Sequence, residues 1–229
     1  MVHVTTAALP RPARVLVDLG PIAQLRAGRL GRRLPQLYVG LTLYGLSIAL
    51  MVQGHLGMAP WDVLHLGLTK HLPITLGEAL VIVSFAVLLI WIPLREVPGI
   101  GTISNALVIG ITADLFLAVL ARPDALWLRG LFTVGGVVIC GLATAMYIGA
   151  QLGRGPRDGL MTGFARRTGL SLRLVRTLLE ITVVVIGLLL GGVAGLGTVL
   201  YALAIGPLTQ LMLPTWIVDV PRPVVTRDE

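Results

Sequence analysis

Charged side chains are scarce in this sequence. Lys, Arg, Asp and Glu make up 13% of its 229 residues, whereas soluble domains of this size contain about a quarter. Hydrophobic residues account for 55%, and the mean hydropathy is +0.89. A single globular core cannot hide that many apolar side chains. The composition therefore excludes an ordinary soluble domain and indicates that lipid is the solvent on most sides.

Cysteine and lysine each occur only once. With Cys140 alone, neither an intrachain disulfide nor a thiolate metal site can form. Apart from Lys70, every basic residue is arginine, and the arginines lie between apolar runs instead of lining an amphipathic surface. The net charge of +7 is therefore interpreted as a topology signal and not as a nucleic-acid-binding face.

A secretory signal is not recognisable at the start of the chain. Arginines and prolines are spread through residues 1–34, and no apolar segment with a small-residue cleavage site follows. We predict that residues 1–35 form a basic cytoplasmic tail, partly disordered, with a short surface helix near Leu16–Leu25. This tail is expected to touch anionic lipid headgroups.

No arrangement of side chains typical of an enzyme is visible. The few serines have no base and acid at suggestive spacings. His55, His65 and His71 fall around one loop, but no carboxylate cluster at metal-ligand spacing joins them. We therefore expect no enzymatic activity, no metal and no cofactor.

Six apolar runs are long enough to cross a bilayer, which requires about 20 residues. They cover residues 36–54, 75–94, 100–121, 129–150, 173–191 and 196–214. We predict an all-α, polytopic membrane protein with about six transmembrane helices. If both termini are cytoplasmic, 14 basic residues lie inside and 3 outside, as the positive-inside rule favours. A bacterial inner membrane is the expected location.

The chain contains an internal repeat. The pattern Gly-x-x-Pro-x-Asp-x-Leu-x-x-Gly occurs at residues 57–67 and again at residues 153–163, at an offset of 96. Without a gap, that offset also aligns residues 40–117 with residues 136–213, where about 24 of 78 pairs are identical. Apolar composition inflates such a count, but it does not explain matched Gly, Pro, Asp and Thr residues.

An odd number of spans in each unit means that the second unit enters the membrane from the other side. We predict an inverted-topology repeat, with residues 36–121 and 129–214 as the two units and residues 215–229 as a cytoplasmic tail. Inverted repeats are typical of transporters, and paired Gly/Pro-interrupted segments point to the binding site.

Each copy of the motif predicts a chain reversal followed by a short helix. Pro60 and Pro156 suit the first turn of a helix, where a backbone N–H would be unpaired anyway. Asp62 and Asp158 fall in the same turns, where the helix dipole favours a carboxylate. We expect each short helix to be broken or re-entrant, packed against protein or a water-filled cavity. The two aspartates either cap these helices or line the mouth of a substrate path.

Other polar residues lie within or at the start of the spans. Thr102 and Thr198 each follow a Gly-x-Gly pattern, and either they start helices or their hydroxyls bind a polar group. Arg176 and Glu180 are four residues apart, so one helix face carries both. An intramembrane carboxylate is a functional-site hypothesis: Glu180 either forms a structural ion pair or exchanges a proton during alternating access. Asp114 faces either the bundle interior or the outer interface.

Several of these motifs are shared with a known family. They are Gly-x-x-Pro-Trp-Asp-Val-Leu at residues 57–64, Gly-Pro-Arg-Asp-Gly-Leu-Met at 155–161, the Arg176/Glu180 pair, and Leu-Leu-Gly-Gly-x-x-Gly-x-Gly-Thr at 189–198. Through them, the region around residues 36–214 resembles the YczE/YyaS/YitT family of bacterial integral membrane proteins. The resemblance implies a membrane protein with suggested links to antibiotic production or export.

Our leading functional hypothesis is a secondary transporter or exporter of a small amphipathic molecule, coupled to protons. The polar lining of its site is predicted to include Asp62, Asp158, Arg157, Arg176, Glu180, Pro60, Pro156, Thr102 and Thr198. Two alternatives stay open: a non-transporting membrane partner or regulator of a biosynthetic or export complex, and a lipid scramblase or flippase. The expected partners are the lipid bilayer and an unknown small molecule, and a homo-oligomer is compatible with the sequence.

Overall fold

The structure is a computed structural model that describes residues 16–17 and 19–220. All regular secondary structure in that part of the chain is helical. Its helices are α1 (Pro21–Arg26), α2 (Leu30–Gly54), α3 (Pro60–Thr69), α4 (Leu76–Leu94), α5 (Ile100–Val119), α6 (Leu126–Gly149), α7 (Pro156–Thr168), α8 (Leu172–Leu189) and α9 (Leu196–Trp216). The predicted tail features in residues 1–15 and 221–229 lie outside the described residues.

In the described part of the chain, five helices are long and apolar enough to cross a membrane, namely α2, α4, α5, α6 and α9. Large apolar side chains cover their outer faces, as expected where lipid replaces water. The predicted all-α, polytopic membrane protein is confirmed. Helix α8 has 18 residues, but it carries the charged residues Arg173, Arg176 and Glu180. It is therefore not apolar enough to be counted with the other five. The sixth span therefore stays a prediction.

Equivalent helices of the two halves begin 96 residues apart. The four pairs are α2 and α6 (30 and 126), α3 and α7 (60 and 156), α4 and α8 (76 and 172), and α5 and α9 (100 and 196). Left-handed backbone recurs at the same offset, at His55 and Gln151, Gly57 and Gly153, and Arg95 and Gly191. The two halves therefore match in backbone conformation as well as in sequence pattern.

The predicted short helices begin at Pro60 and Pro156, as expected. The turns before them need glycine, because φ is +110° at Gly57 and +133° at Gly153. A residue with a Cβ is strained in that region.

Each turn is held by the other half of the chain. The Gly197 N–H of α9 donates to the Leu56 carbonyl at 2.7 Å, and the Gly101 N–H of α5 donates to the Leu152 carbonyl at 2.7 Å. Backbone can approach this closely only because no Cβ intervenes: one on Gly101 would lie 2.9 Å from the Leu152 oxygen. The two short helices are thus anchored by reciprocal contacts between halves.

Helices α2 and α6 form the centre of the bundle and run antiparallel. The start of α2 meets the end of α6, since a Cβ on Gly40 would lie 3.0 Å from the Met146 Cβ. The end of α2 meets the start of α6, since a Cβ on Gly136 would lie 2.7 Å from the Met51 Cγ. Small residues let membrane helices pack closely and gain van der Waals contact.

Helix α2 begins at Leu30, six residues before the predicted start of the first span. The reason is Arg33, which belongs to the predicted tail but is fully buried. Its guanidinium donates to the carbonyls of Ala150 at 2.8 Å and Gln151 at 2.6 Å. These carbonyls follow the end of α6, where helical partners run out.

Arg129, 96 residues after Arg33, makes the equivalent contact in the other half. It donates to the carbonyls of Gly54 and His55, both at 3.0 Å. Each central helix is therefore capped at its C-terminal end by an arginine from the start of the other.

The remaining packing is partly within each half and partly between the halves. Helix α5 packs on α2 and α9 packs on α6, while α3 packs on α8 and α7 packs on α4. One pair breaks the pattern: α4 packs along α5, whereas α8 and α9 have no comparable contact.

Candidate functional site

The first turns of the two short helices meet at the centre of the bundle. Arg157 of α7 lies with its Nη2 atom 3.9 Å from the Asp62 Oδ1 atom of α3. Its guanidinium also lies over the ring of Trp61, 5.1 Å from the centroid, which is within cation–π range. Residues about 96 positions apart thus form one cluster.

The backbone at this meeting point favours negative charge. Neither short helix has a side-chain cap at its N-terminus, where the N-caps are Ala59 and Gly155. Unpaired N–H groups and the helix dipole give both ends partial positive charge. Arg157 adds a full positive charge beside them, and we find no hydrogen-bond acceptor for its guanidinium among the described residues.

Asp62 belongs to a buried polar pair on α3. Its side chain is 2% exposed, and Oδ1 lies 3.1 Å from Nδ1 of His65, which is fully buried. Nε2 of His65 has no hydrogen-bond partner among the described residues. Asp62 therefore stabilises its own helix start and the imidazole, and it partly offsets Arg157.

Asp158 is bonded differently. Its Oδ2 atom accepts a hydrogen bond from the Tyr147 hydroxyl of α6. The predicted alternatives for the two aspartates are therefore not exclusive: both lie in first helical turns, and Asp158 also lines three cavities, two of which it shares with Arg157.

The larger of these two cavities has a volume of about 230 Å³. Its polar and aromatic lining comprises Tyr44, Trp61, Thr144, Tyr147, Arg157, Asp158, Arg176, Glu180, Tyr201, Thr209 and Gln210. Arg176 and Glu180 form an ion pair of 2.8 Å between Nε and Oε1, with side chains 39% and 20% exposed. Four predicted site residues, Arg157, Asp158, Arg176 and Glu180, therefore share one cavity.

A smaller cavity of about 50 Å³ lies on the other side of Arg157 and Asp158. It is lined by Leu80, Ser84 and Asn105 of α4 and α5. Tyr44, Tyr147, Arg157 and Asp158 line both cavities and so form the wall between them.

The other predicted residues have structural contacts. The Thr102 hydroxyl accepts from the Gly99 N–H at 3.1 Å and donates to the Arg154 carbonyl at 2.7 Å. The Thr198 hydroxyl accepts from the Gly195 N–H at 3.1 Å. Both threonines therefore start helices.

Pro60 and Pro156 are buried first-turn residues, and the Pro156 carbonyl accepts from the Trp91 Nε1–H at 2.9 Å. Asp114 faces neither cavity. It accepts from the Thr75 hydroxyl at 2.5 Å and the Gly77 N–H at 2.8 Å, and so joins α5 to the start of α4. Across the part of the chain that the structure describes, no three His, Cys, Asp or Glu side chains converge as metal ligands.

Sequence reasoning did not identify the aromatic lining. Tyr44, Tyr147 and Tyr201 lie on three different helices and meet around Arg157. Their repeat partners are Cys140, Met51 and Asn105, so the offset of 96 does not single them out. A search for aromatic hydroxyls inside spans would have found them, since a buried Tyr hydroxyl usually needs a polar partner.

Comparison with known proteins points to one family. The model of the family of unknown function DUF6198 matches residues 31–214. A Haemophilus influenzae protein, described only as uncharacterized, is 42% identical over 177 residues, which are 77% of this chain and 81% of the relative.

Two Bacillus subtilis proteins are also similar. The uncharacterized membrane protein YczE is 33% identical over 179 residues (77% of this chain, 83% of the relative). The uncharacterized protein YyaS is 30% identical over 180 residues (77% of this chain, 90% of the relative). No solved structure matches the chain. The resemblance inferred from the motifs is confirmed.

Proposed function

The chain belongs to the DUF6198 family, and on the geometry of its central cavity we propose that it is a secondary transporter of a small amphipathic molecule. In this proposal it spans a bacterial inner membrane as an inverted repeat with both termini in the cytoplasm. The substrate binds between the halves and meets Arg157.

The repeat supports this proposal. Helices α2 and α6 are equivalent by the offset of 96, and they pack antiparallel. Two equivalent units that run in opposite directions can exchange conformations, which opens a central site alternately to each face of the membrane.

The convergence of two half-helix N-termini on Arg157 is the observation that carries the proposal. Transporters bind anionic groups of their substrates at such helix ends near the bilayer midplane. Here Arg157 in the first turn of α7 lies 3.9 Å, Nη2 to Oδ1, from Asp62 in the first turn of α3, beside a cavity of about 230 Å³. An anion bound there would accept hydrogen bonds from Arg157 and benefit from both dipoles.

Glu180 is the proposed proton carrier. It lies in the same cavity as Arg157, is 20% exposed, and is held by Arg176. Its repeat partner is Ser84, which cannot ionise. Only one half would therefore carry the coupling proton.

Proteoliposomes containing the purified full chain test the proposal. With a pH-sensitive dye inside and an imposed pH gradient, single-chain amphiphiles of either charge and of none are added in turn. We expect proton flux that depends on an anionic amphiphile, and Arg157→Gln should reduce it about tenfold, the effect of one charge-assisted hydrogen bond. Glu180→Gln should abolish proton flux but retain amphiphile exchange. Absence of flux for every amphiphile would refute transport of this class.

A further inference from the structure

The two central cavities occupy equivalent places in the repeat. Leu80, Ser84, Ile109 and Gly110 line the small one, and the residues 96 positions later, Arg176, Glu180, Ile205 and Gly206, line the large one. The small cavity lies between α4 and α5, and the large one lies between α8 and α9. The half that contains α4 and α5 is therefore closed at this place, and the half that contains α8 and α9 is open. We call them the closed unit and the open unit.

The closed unit is held by a backbone contact. A Cβ on Gly110 would lie 2.5 Å from the Gly77 carbonyl oxygen, so α4 and α5 touch without a side chain between them. Asp114 reinforces the contact by accepting from Thr75 and from the Gly77 N–H. This contact leaves only about 50 Å³ behind it.

The open unit has no such seal. A Cβ on Gly206, the counterpart of Gly110, would meet nothing within 4 Å. Arg173 stands where the closed unit has Gly77, and Gln210 stands where it has Asp114. The gap lies toward the start of α8 and the end of α9, because Arg176 and Gln210 line it.

The surface beside the gap is apolar. Ile181 of α8, next to Glu180, is 55% exposed, and Leu203 of α9, one turn before Gly206, is 72% exposed. Such side chains are compatible with lipid and unfavourable in water. The gap therefore connects the cavity to the bilayer, and in the proposed orientation it opens in the cytoplasmic leaflet.

We infer that the gap between α8 and α9 is a lateral portal, through which a single-chain amphiphile with one anionic headgroup enters from the cytoplasmic leaflet. This inference rests on the proposed function. The cavity of about 230 Å³ equals about eight water volumes, which holds a phosphate or carboxylate headgroup but no long chain. The chain of the bound amphiphile would lie in the gap and in the bilayer.

Spare hydrogen-bond donors, and not net charge, select the sign of the headgroup, because Asp158 and Glu180 balance the two arginines in the cavity lining. Glu180 is paired with Arg176, Asp158 accepts from Tyr147, and Asp62 accepts from His65. Arg157 has no hydrogen-bond acceptor among the described residues, and Arg176 uses only its Nε–H toward Glu180, so both guanidinium groups have donors to spare in the cavity. An anionic head can use those donors, whereas a cationic head meets Arg157 and two helix N-termini.

A scintillation proximity assay on the full-length protein in a neutral maltoside detergent tests the portal. The probe is radiolabelled dodecyl phosphate, and the competitors are unlabelled dodecyl phosphate, inorganic phosphate and dodecyltrimethylammonium. We expect saturable binding that only unlabelled dodecyl phosphate displaces at equal concentration. Displacement by inorganic phosphate at the same concentration would mean that the site is a water-accessible anion site, and it would overturn the inference.

Two variants locate the bound chain. Gly206→Leu fills the gap and should weaken dodecyl phosphate binding about tenfold, because two or three methylene groups of the ligand are then no longer buried there. Gly135→Leu on α6 is the matched control: it is also a half-buried helical glycine with nothing within 4 Å of an added Cβ. It should bind as the wild type does. Equal binding by both variants would overturn the inference.

Transport and portal fail in distinguishable ways. Saturable dodecyl phosphate binding without flux in proteoliposomes would refute transport and leave the portal intact. Proton-coupled flux of a water-soluble substrate, without dodecyl phosphate binding, would leave transport intact and refute the portal. Loss of dodecyl phosphate binding in Arg157→Gln, with retention in Arg157→Lys, would support an electrostatic contact with the headgroup.

Discussion

Replacement of Arg33 by methionine should be among the most destabilising single changes in this protein. Arg33 is fully buried and donates four hydrogen bonds, to the carbonyls of Ala150, Gln151, Gln24 and Gly28 at 2.8, 2.6, 2.6 and 3.2 Å. Methionine fills much of the same volume but donates nothing. The two carbonyls beyond the end of α6 would then be buried without a donor.

The expected loss follows from these contacts. A buried acceptor without a partner costs about 1–3 kcal/mol, so the two α6 carbonyls alone account for about 2–6 kcal/mol. The bonds to the Gln24 and Gly28 carbonyls come in addition to this range. For a chain of this size, a loss of about 3 kcal/mol lowers Tm by about 6–12 °C.

Arg129→Met is the matched comparison. Arg129 makes the equivalent contacts with Gly54 and His55, but only two of them, both at 3.0 Å, and it is half-buried. In Arg129→Met, water can donate some of the hydrogen bonds that Arg129 gave to these carbonyls. The loss of unfolding free energy should therefore be about half of that in Arg33→Met. Thermal unfolding of both variants in the same detergent measures the difference. Equal Tm values for Arg33→Met and the wild type would refute the assignment of Arg33 as an internal helix cap.

Three further changes test other parts of the structure. Gly57→Ala should cost more than about 2 kcal/mol in unfolding free energy measured by chemical denaturation, because φ is +110° and an added Cβ would lie 2.7 Å from the Gly195 nitrogen. In the same assay, the control Gly135→Ala should be neutral or stabilising by about 0.5–1 kcal/mol. Asp114→Ala should cost about 1–2 kcal/mol by removing its bonds to α4, while Gln210→Ala should change the unfolding midpoint by less than about 0.5 kcal/mol. Trp91→Phe removes the donor to the Pro156 carbonyl and should cost about 1–3 kcal/mol, with a larger fall in Tm than for Trp127→Phe at a 71% exposed site.

The local features of the fold were predictable because each depends on nearby residues. Runs of apolar side chains predict spans, and proline after glycine predicts the starts of α3 and α7 at Pro60 and Pro156. The offset of 96 predicted which helices would be equivalent, and their first residues match it. The start of α2 was placed too late, because Arg33 was interpreted as a tail residue and only the end of α6 explains its burial.

The site was predictable only in part. Arg157 and Asp158 were identified from the second copy of the repeated motif, and Arg176 and Glu180 were identified as charges within a predicted span. All four share one cavity. Asp62 lies beside Arg157 but is committed to His65, and the threonines at 102 and 198 start helices. No sequence pattern indicates which charged residues will have spare donors, since that depends on partners from other helices.

By itself, the sequence determined the helical membrane class, the duplicated units and the two short helices, because these follow from apolar run length, residue repetition and first-turn chemistry. The tertiary structure alone decided that Arg157 would lie against Trp61 and Asp62, that three tyrosines would surround it, and that α4 would close on α5 while α8 and α9 stay apart. These features arise from packing between residues far apart in the chain. Two units of one pattern can adopt different packings that differ by a few kcal/mol, so only the folded arrangement shows which unit is open.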